Sequence, residues 1–382
     1  MTPRFGVRHL VVAVAALVAI ALGLWRLAGA TSGLEVTRTN AGSVPVTVFR
    51  PASPDPAAPP APLVVIAHGF AGSQQLMQPF AVTLARNGYV AVTFDFPGHG
   101  RNPAPMTGGL ADEDARTRTL MDALDGVVAL GRSLPGTDGR RYALLGHSMA
   151  SDIVVRYARA HPEVEATVAV SLFSIGVTAD SPRNLLVVDG ALEAGPLTDE
   201  GYRIVGMAAG GQAQESTTYG SFADGTARRL ALADGVEHIG VLYSRESMAE
   251  ALGWLDQALG RQGGPGYLDA RGPTLGLLYL GLVALAYPLS RLLPQVASTP
   301  LGAGLPWRRL LPVALVPALV TPLVLRVLPT DFLPILLGDY LTMHFGLYGL
   351  LTAAGMWASG TPIGQGAPVH VPWGKLAVAV LA

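Results

Sequence analysis

The sequence predicts an α/β protein, a doubly wound and mostly parallel sheet, flanked by transmembrane helices. Three observations carry this. Short continuous apolar runs alternate with longer amphipathic ones between about Leu34 and Leu259; long apolar runs lie at either end; and one apolar run turns through Gly146-His147-Ser148 straight into helix-forming sequence. The chain has 382 residues, half of them hydrophobic and only 14% charged, a balance too apolar for a purely soluble protein. A net charge of −1 without long like-charge runs gives no surface for nucleic acid. There is no cysteine, which excludes disulfides, thiolate nucleophiles and Cys-ligated metal sites and fits either side of a membrane.

The elements follow in order. Residues 1–33 hold Arg4 and Arg8, then Leu10 to Trp25, an apolar run of bilayer-entering length, then Arg26 and the small residues Ala28, Gly29 and Ala30. Small residues suit a cleaved signal peptide. Arg26 interrupts that pattern, so a retained signal anchor is expected, and in either case the domain behind it is exported. The domain, residues 34–262, opens with an antiparallel strand over Val44 to Phe49, and Pro51 to Pro62 form a Pro/Ala loop. Leu63–Ala67, Val90–Phe94, Tyr142–Leu145, Ala166–Leu172 and Leu185–Val188 read as strands of a sheet covered on both faces. Helices are expected over Gln78–Asn87, Thr117–Leu134, Met149–His161 and Ser247–Leu259, and a last strand over Leu230–Ala233.

A Gly-rich linker is expected over 263–274, followed by a multi-helix transmembrane region over 275–382. Its spans are Leu275–Leu293, Leu310–Leu328 and Phe332–Met356. The connection between the first two carries Arg291, Arg308 and Arg309, which places it in the cytoplasm together with Arg4 and Arg8. The intervening domain is then extracytoplasmic on a multi-pass cell-membrane protein. Pro312, Pro317 and Pro322 predict a kinked helix, and Arg326 lies near enough to its end to snorkel. Asp339 and His344 are costly inside an apolar run, where a local structural pairing is favoured over a role in transport or acyl transfer. The final Leu-Ala-Val-Ala-Val-Leu-Ala is too short to span, which suggests truncation.

The stretch Gly146-His147-Ser148-Met149-Ala150, at a strand-to-helix turn, has the context of a G-x-S-x-G nucleophile elbow, with alanine at the last position. With "VVIAHGFAGS" (Val64 to Ser73) and "FDFPGHGRN" (Phe94 to Asn102), residues 34–260 resemble the α/β-hydrolase family. The resemblance implies Ser148 as nucleophile and the backbone amides of Phe70 and Met149 as the oxyanion hole. It implies His238, after the last strand, as base, and an acid in the turn after Leu185–Val188. Glu193 fits that acid best, Asp189 is the alternative and Asp180 comes last. His68 and His99 read as loop-shaping residues, His147 as pointing away from the nucleophile, and His161 as a surface residue. No metal and no organic cofactor is called for.

The expected activity is hydrolysis of an acyl ester or lipid-like substrate at the outer side of a membrane, with membrane lipid as neighbour. A membrane acyltransferase using the same serine and a non-catalytic envelope binding module are the competing classes. Only about a dozen residues separate the strands ending near Leu172 and beginning at Leu185, too few for a helical cap, while residues 196–227 can supply a partial lid. The sequence assigns no oligomeric state.

Overall fold

A computed structural model of the chain describes residues 6–53, 59–108, 112–261, 266–294, 305–330, 332, 336–360 and 373–381. They fall into two compact units, one of residues 23–276 and one that joins residues 6–22 to residues from 277 onward. In chain order the first part runs α1 (Val7–Ala30), β1 (Leu34–Ala41), β2 (Val44–Pro51), β3 (Ala61–Ala67), α2 (Gln78–Arg86), β4 (Val90–Phe94), α3 (Glu113–Ser133), β5 (Thr137–His147) and α4 (Met149–Ala160). It continues with β6 (Val164–Val170), β7 (Leu185–Gly190), α5 (Gly195–Ala209), β8 (Arg228–Ala233) and α6 (Arg245–Ala258).

The strands form one sheet in the order β1-β2-β4-β3-β5-β6-β7-β8. β1 and β2 are antiparallel, β2 pairs antiparallel with β4, and every pairing from β4 to β8 is parallel. This is the α/β-hydrolase fold. The parallel strands are apolar on both faces because helices cover both: Val64, Ile66, Leu145, Val168 and Val188 pack with Phe80 and Leu84 of α2 and Trp254 and Leu255 of α6. On the other face Val155 of α4 and Ile204 and Val205 of α5 pack on Val187 and Leu230. Strand order reverses beside β3, so the loops after β3 and β5 part and leave a crevice at the carboxyl edge, where ligands bind in open α/β sheets.

Three expectations need correction. β1 was not foreseen: it is an exposed edge strand, Leu-Glu-Val-Thr-Arg-Thr-Asn-Ala, whose polar side chains hide the usual apolar signal. The chain from Gly195 is helix α5, which buries Gly201, Ile204 and Val205 against the sheet and is part of the core, not of a lid. The linker is also shorter than expected. The Asp269 amide donates to Thr83 Oγ1 at 3.0 Å, Asn87 Nδ2 donates to the Tyr267 carbonyl at 2.8 Å, and the Arg86 guanidinium lies 4.3 Å over the Tyr267 ring. Residues 266–270 are therefore fastened to α2; residues 262–265 lie outside the described ones.

The other unit contains the rest of α7 (Arg271–Leu289), then α8 (Trp307–Leu325), α9 (Gly338–Ala358) and α10 (Trp373–Leu381). Among the described residues, three helical stretches are long and apolar enough to cross a membrane: Val7–Ala30, Arg271–Leu292 and Trp307–Leu325. α8 continues through Pro312, Pro317 and Pro322. Gly281 lets α7 approach α1 closely, since a Cβ there would lie 2.9 Å from the Ala16 carbonyl oxygen. The expected span Phe332–Met356 is helical from Gly338 only, and residues 333–335 lie outside the described ones. Asp339 is buried in the first turn of α9, its carboxylate accepting the Tyr340 amide at 2.9 Å, and the His344 ring lies 5.9 Å from that of Tyr340.

Candidate active site

Ser148 stands between β5 and α4 with φ 53° and ψ −119°, a backbone region that a non-glycine residue adopts only when its surroundings impose it. The surroundings do so from both sides. The Ser148 amide donates to the Val170 carbonyl at 2.8 Å, and the Ser148 carbonyl accepts from the amide and hydroxyl of Ser151 at 2.8 and 2.5 Å. Gly146 is required, because a Cβ there would lie 2.5 Å from the Ala150 carbonyl oxygen. Ala150 itself is fully buried, so the turn accepts its methyl group.

His238 is carried on the loop after β8, and its Nε2 lies 2.9 Å from Ser148 Oγ. Its Nδ1 lies 2.8 Å from Glu193 Oε1, in the turn after β7. A carboxylate only accepts, so Nδ1 carries the proton and Nε2 is left to accept the serine O–H. The second Glu193 oxygen accepts the Ser171 hydroxyl at 2.7 Å, and the Glu193 side chain is 1% exposed. The two loops are locked together: Leu192 donates to the Val236 carbonyl at 2.9 Å, and Gly190 has no Cβ because one would lie 2.3 Å from that same oxygen.

Asp189 does not join this line. It is fully buried at the end of β7, where burial, with the Glu193 charge adding to it, pushes its carboxyl up to about 7. Asp180 lies in the loop before β7, where its carboxylate accepts the Thr178 hydroxyl at 2.9 Å.

Phe70 follows Gly69, whose absent Cβ would lie 3.0 Å from Ser148 Cβ, so the loop after β3 runs hard against the serine. Met149 is the first residue of α4, and its amide belongs to the unpaired first turn. The loop is shaped by His68. Its Nε2 accepts the Phe96 amide at 3.1 Å, so Nδ1 donates to the Gly69 carbonyl at 2.8 Å, and burial lowers its pKa to about 4. The following loop is shaped by buried Asp95, which accepts the Gln74 side chain and the amides of Gln74 and Arg101 at 2.7, 2.8 and 3.1 Å.

His147 does more than the sequence suggested. Its Nε2 lies 2.9 Å from the His238 carbonyl oxygen, and the two rings are 4.8 Å apart. Burial holds its pKa down to about 4, so it is neutral and donates from Nε2 to the loop that carries His238. Ser171 is a further residue that the sequence did not point to, because nothing local distinguishes it from an ordinary strand-end residue, whereas Gly69 belongs to the His-Gly-x motif after β3. Among the described residues no group of His, Asp and Glu is arranged to hold a metal ion.

Residues 58–183, about a third of the chain, match the family model described as serine aminopeptidase, S33. No curated protein sequence matches. Solved structures of similar fold include a CIB-like hydrolase from Thermoplasma acidophilum, at 14% identity over 57% of this chain and 94% of that one, with a TM-score of 0.41. A membrane phospholipase A described as a bacterial virulence factor aligns at 14% identity over 64% of this chain and 93% of that one, TM-score 0.42. A protein assigned as a dienelactone hydrolase from Klebsiella pneumoniae aligns at 16% identity over 59% and 98%, TM-score 0.43.

Proposed function

The chain carries an α/β-hydrolase domain, and we propose that this domain is a serine esterase acting on acyl esters at the outer side of a membrane. The observation that carries the proposal is the unbroken line from Ser148 Oγ through His238 to Glu193, with links of 2.9 and 2.8 Å. In the proposed reaction His238 Nε2 takes the serine proton as Oγ bonds to the acyl carbon. The carbonyl oxygen becomes an oxyanion and accepts from the amides of Phe70 and Met149, donors set in place before the charge appears. The tetrahedral intermediate collapses to the acyl enzyme, and the leaving alkoxide receives the proton from His238. Water then repeats the sequence, giving the free acid and the original serine. Glu193 holds the imidazole in the tautomer this requires and offsets its charge while it is protonated.

The test is labelling and hydrolysis by the full chain in detergent. A fluorophosphonate probe is expected to modify Ser148, and Ser148→Ala to remove both the label and ester hydrolysis. Ser148→Ala and His238→Ala are each expected to abolish most activity, with the double variant little worse than either, because the groups act as one unit. An aminoacyl p-nitroanilide serves as contrast: preference for it over simple esters would move the substrate class to peptides. Wild-type turnover in His238→Ala would remove the base assignment.

A further inference from the structure

Among the described residues of 34–261, six large apolar side chains are left exposed: Val36 on the edge strand β1, and Phe70, Phe173, Ile175, Leu192 and Ile239. Single exposed apolar residues need no explanation, but a set gathered at one place marks a surface for an apolar partner. The last five lie on loops that carry or adjoin the serine, histidine and glutamate. Phe70 follows Gly69, which abuts Ser148; Phe173 and Ile175 follow Ser171, which donates to Glu193; Leu192 precedes Glu193; Ile239 follows His238. Four separate loops at the carboxyl edge of the sheet thus each present apolar side chains beside the same line of three residues. The exposure is large, 58% for Phe173, 82% for Ile175 and 65% for Leu192.

Polar neighbours in these loops are committed elsewhere. Ser174 donates to Asp152 at 2.5 Å, and the Glu237 carboxylate accepts the amides of Ile239 and Gly240 at 2.8 and 2.9 Å. The loops are therefore held by their polar groups while their apolar side chains stay uncovered.

We propose that Phe70, Phe173, Ile175, Leu192 and Ile239 form an apolar rim that seats the aliphatic chain of a lipid ester and so brings its carbonyl to Ser148. This rests on the esterase reading. The occupant is a substrate chain because anything seated among loops that adjoin Ser148, Glu193 and His238 occupies the approach to the serine. A lipid ester is favoured because the same chain holds three helices long and apolar enough to cross a membrane.

Two experiments on the full chain in nanodiscs test it. In the first, Phe173→Ser and Ile175→Ser are assayed on p-nitrophenyl acetate, p-nitrophenyl dodecanoate and a fluorogenic diacyl phospholipid. Each variant is expected to lose about tenfold in kcat/KM on both long-chain substrates, the scale on which a hydrophobic pocket discriminates, and to leave acetate turnover unchanged. Equal losses on acetate, or no loss at all, overturn the rim. Loss on dodecanoate with no phospholipid turnover in the wild type overturns the lipid source. The second experiment does not depend on catalysis. In Ser148→Ala, a phospholipid with a diazirine at the end of one acyl chain is expected to label peptides containing Phe173–Ile175 and Leu192. Label confined to the membrane helices overturns the rim even if the esterase assay has failed.

Discussion

Asp189 at the end of β7 and Glu193 in the turn after it are four residues apart, yet only the glutamate reaches His238. The extra methylene and the Gly190 close approach bring its carboxylate under the imidazole, while Asp189 stays enclosed at the strand end. Glu193→Gln is therefore expected to lower kcat on the order of 10³-fold, and Asp189→Asn far less; the reverse ranking would move the acid to Asp189. Asp189 also makes a stability prediction. Its carboxyl is raised from 3.8 to about 7 by burial first and by Glu193 second. Between those values the unfolded chain has released a proton that the folded chain keeps, so stability falls as pH rises through that window. Asp189→Asn removes this loss, and its gain in Tm should be larger at pH 8 than at pH 4. Equal gains at both pH values would show that the carboxyl is ionised in the fold.

The turn after β7 and the loop after β8 meet at a backbone contact, and that contact depends on a missing side chain. Gly190→Ala places a Cβ 2.3 Å from the Val236 carbonyl oxygen, so one of the two segments must shift. The expected cost is about 1–3 kcal/mol of stability. A larger fall in kcat than in substrate affinity should accompany it, because the shift separates Glu193 from His238. Gly253→Ala in α6 meets nothing within 4 Å and is the control, expected to stabilise by about 0.5–1 kcal/mol. A neutral Gly190→Ala would mean the contact is not as close as drawn. Among the elements, the buried strands were legible because an apolar run between turn residues has few other uses. β1 was not, since its partner β2 supplies the pairing that its own polar sequence does not advertise. The fastening of 266–270 to α2 was equally hidden, because the α2 partners of Tyr267 and Asp269, Asn87 and Thr83, lie almost two hundred positions away.

For the whole chain, charge predicts which side each segment occupies. Arg8 precedes the apolar part of α1, and Arg291, Arg308 and Arg309 flank the connection between α7 and α8, so both ends of this pattern are expected in the cytoplasm. A reporter active only outside the cytoplasm is expected to be active when fused near Gly264 and silent near Ser298, two positions outside the described residues. The opposite pattern would place Ser148 in the cytoplasm. Deleting residues 1–33 should retain the domain in the cytoplasm in folded form, since its core is built from β2–β8 and α2–α6; an insoluble product would tie its folding to α1.

What the sequence determined by itself was whatever depends on neighbours in the chain. Hydropathy runs marked the strands and the apolar helices, and the Gly146–Ala150 turn marked the serine, because a strand that must reverse into a helix within two residues tolerates few side chains. The resemblance to the α/β-hydrolase family then pointed to His238 as the histidine and to three carboxylates for the acid. Only the tertiary structure showed which of those three reaches His238, brought Ser171 to Glu193 and His147 to the His238 carbonyl, and left five apolar side chains exposed on the loops that carry or adjoin Ser148, Glu193 and His238. The physical reason is common to all of these. A hydrogen bond of 2.8 Å or a shared exposed edge is set by the register and order of strands, and parallel pairing places side by side residues that the sequence holds 22 to 91 positions apart.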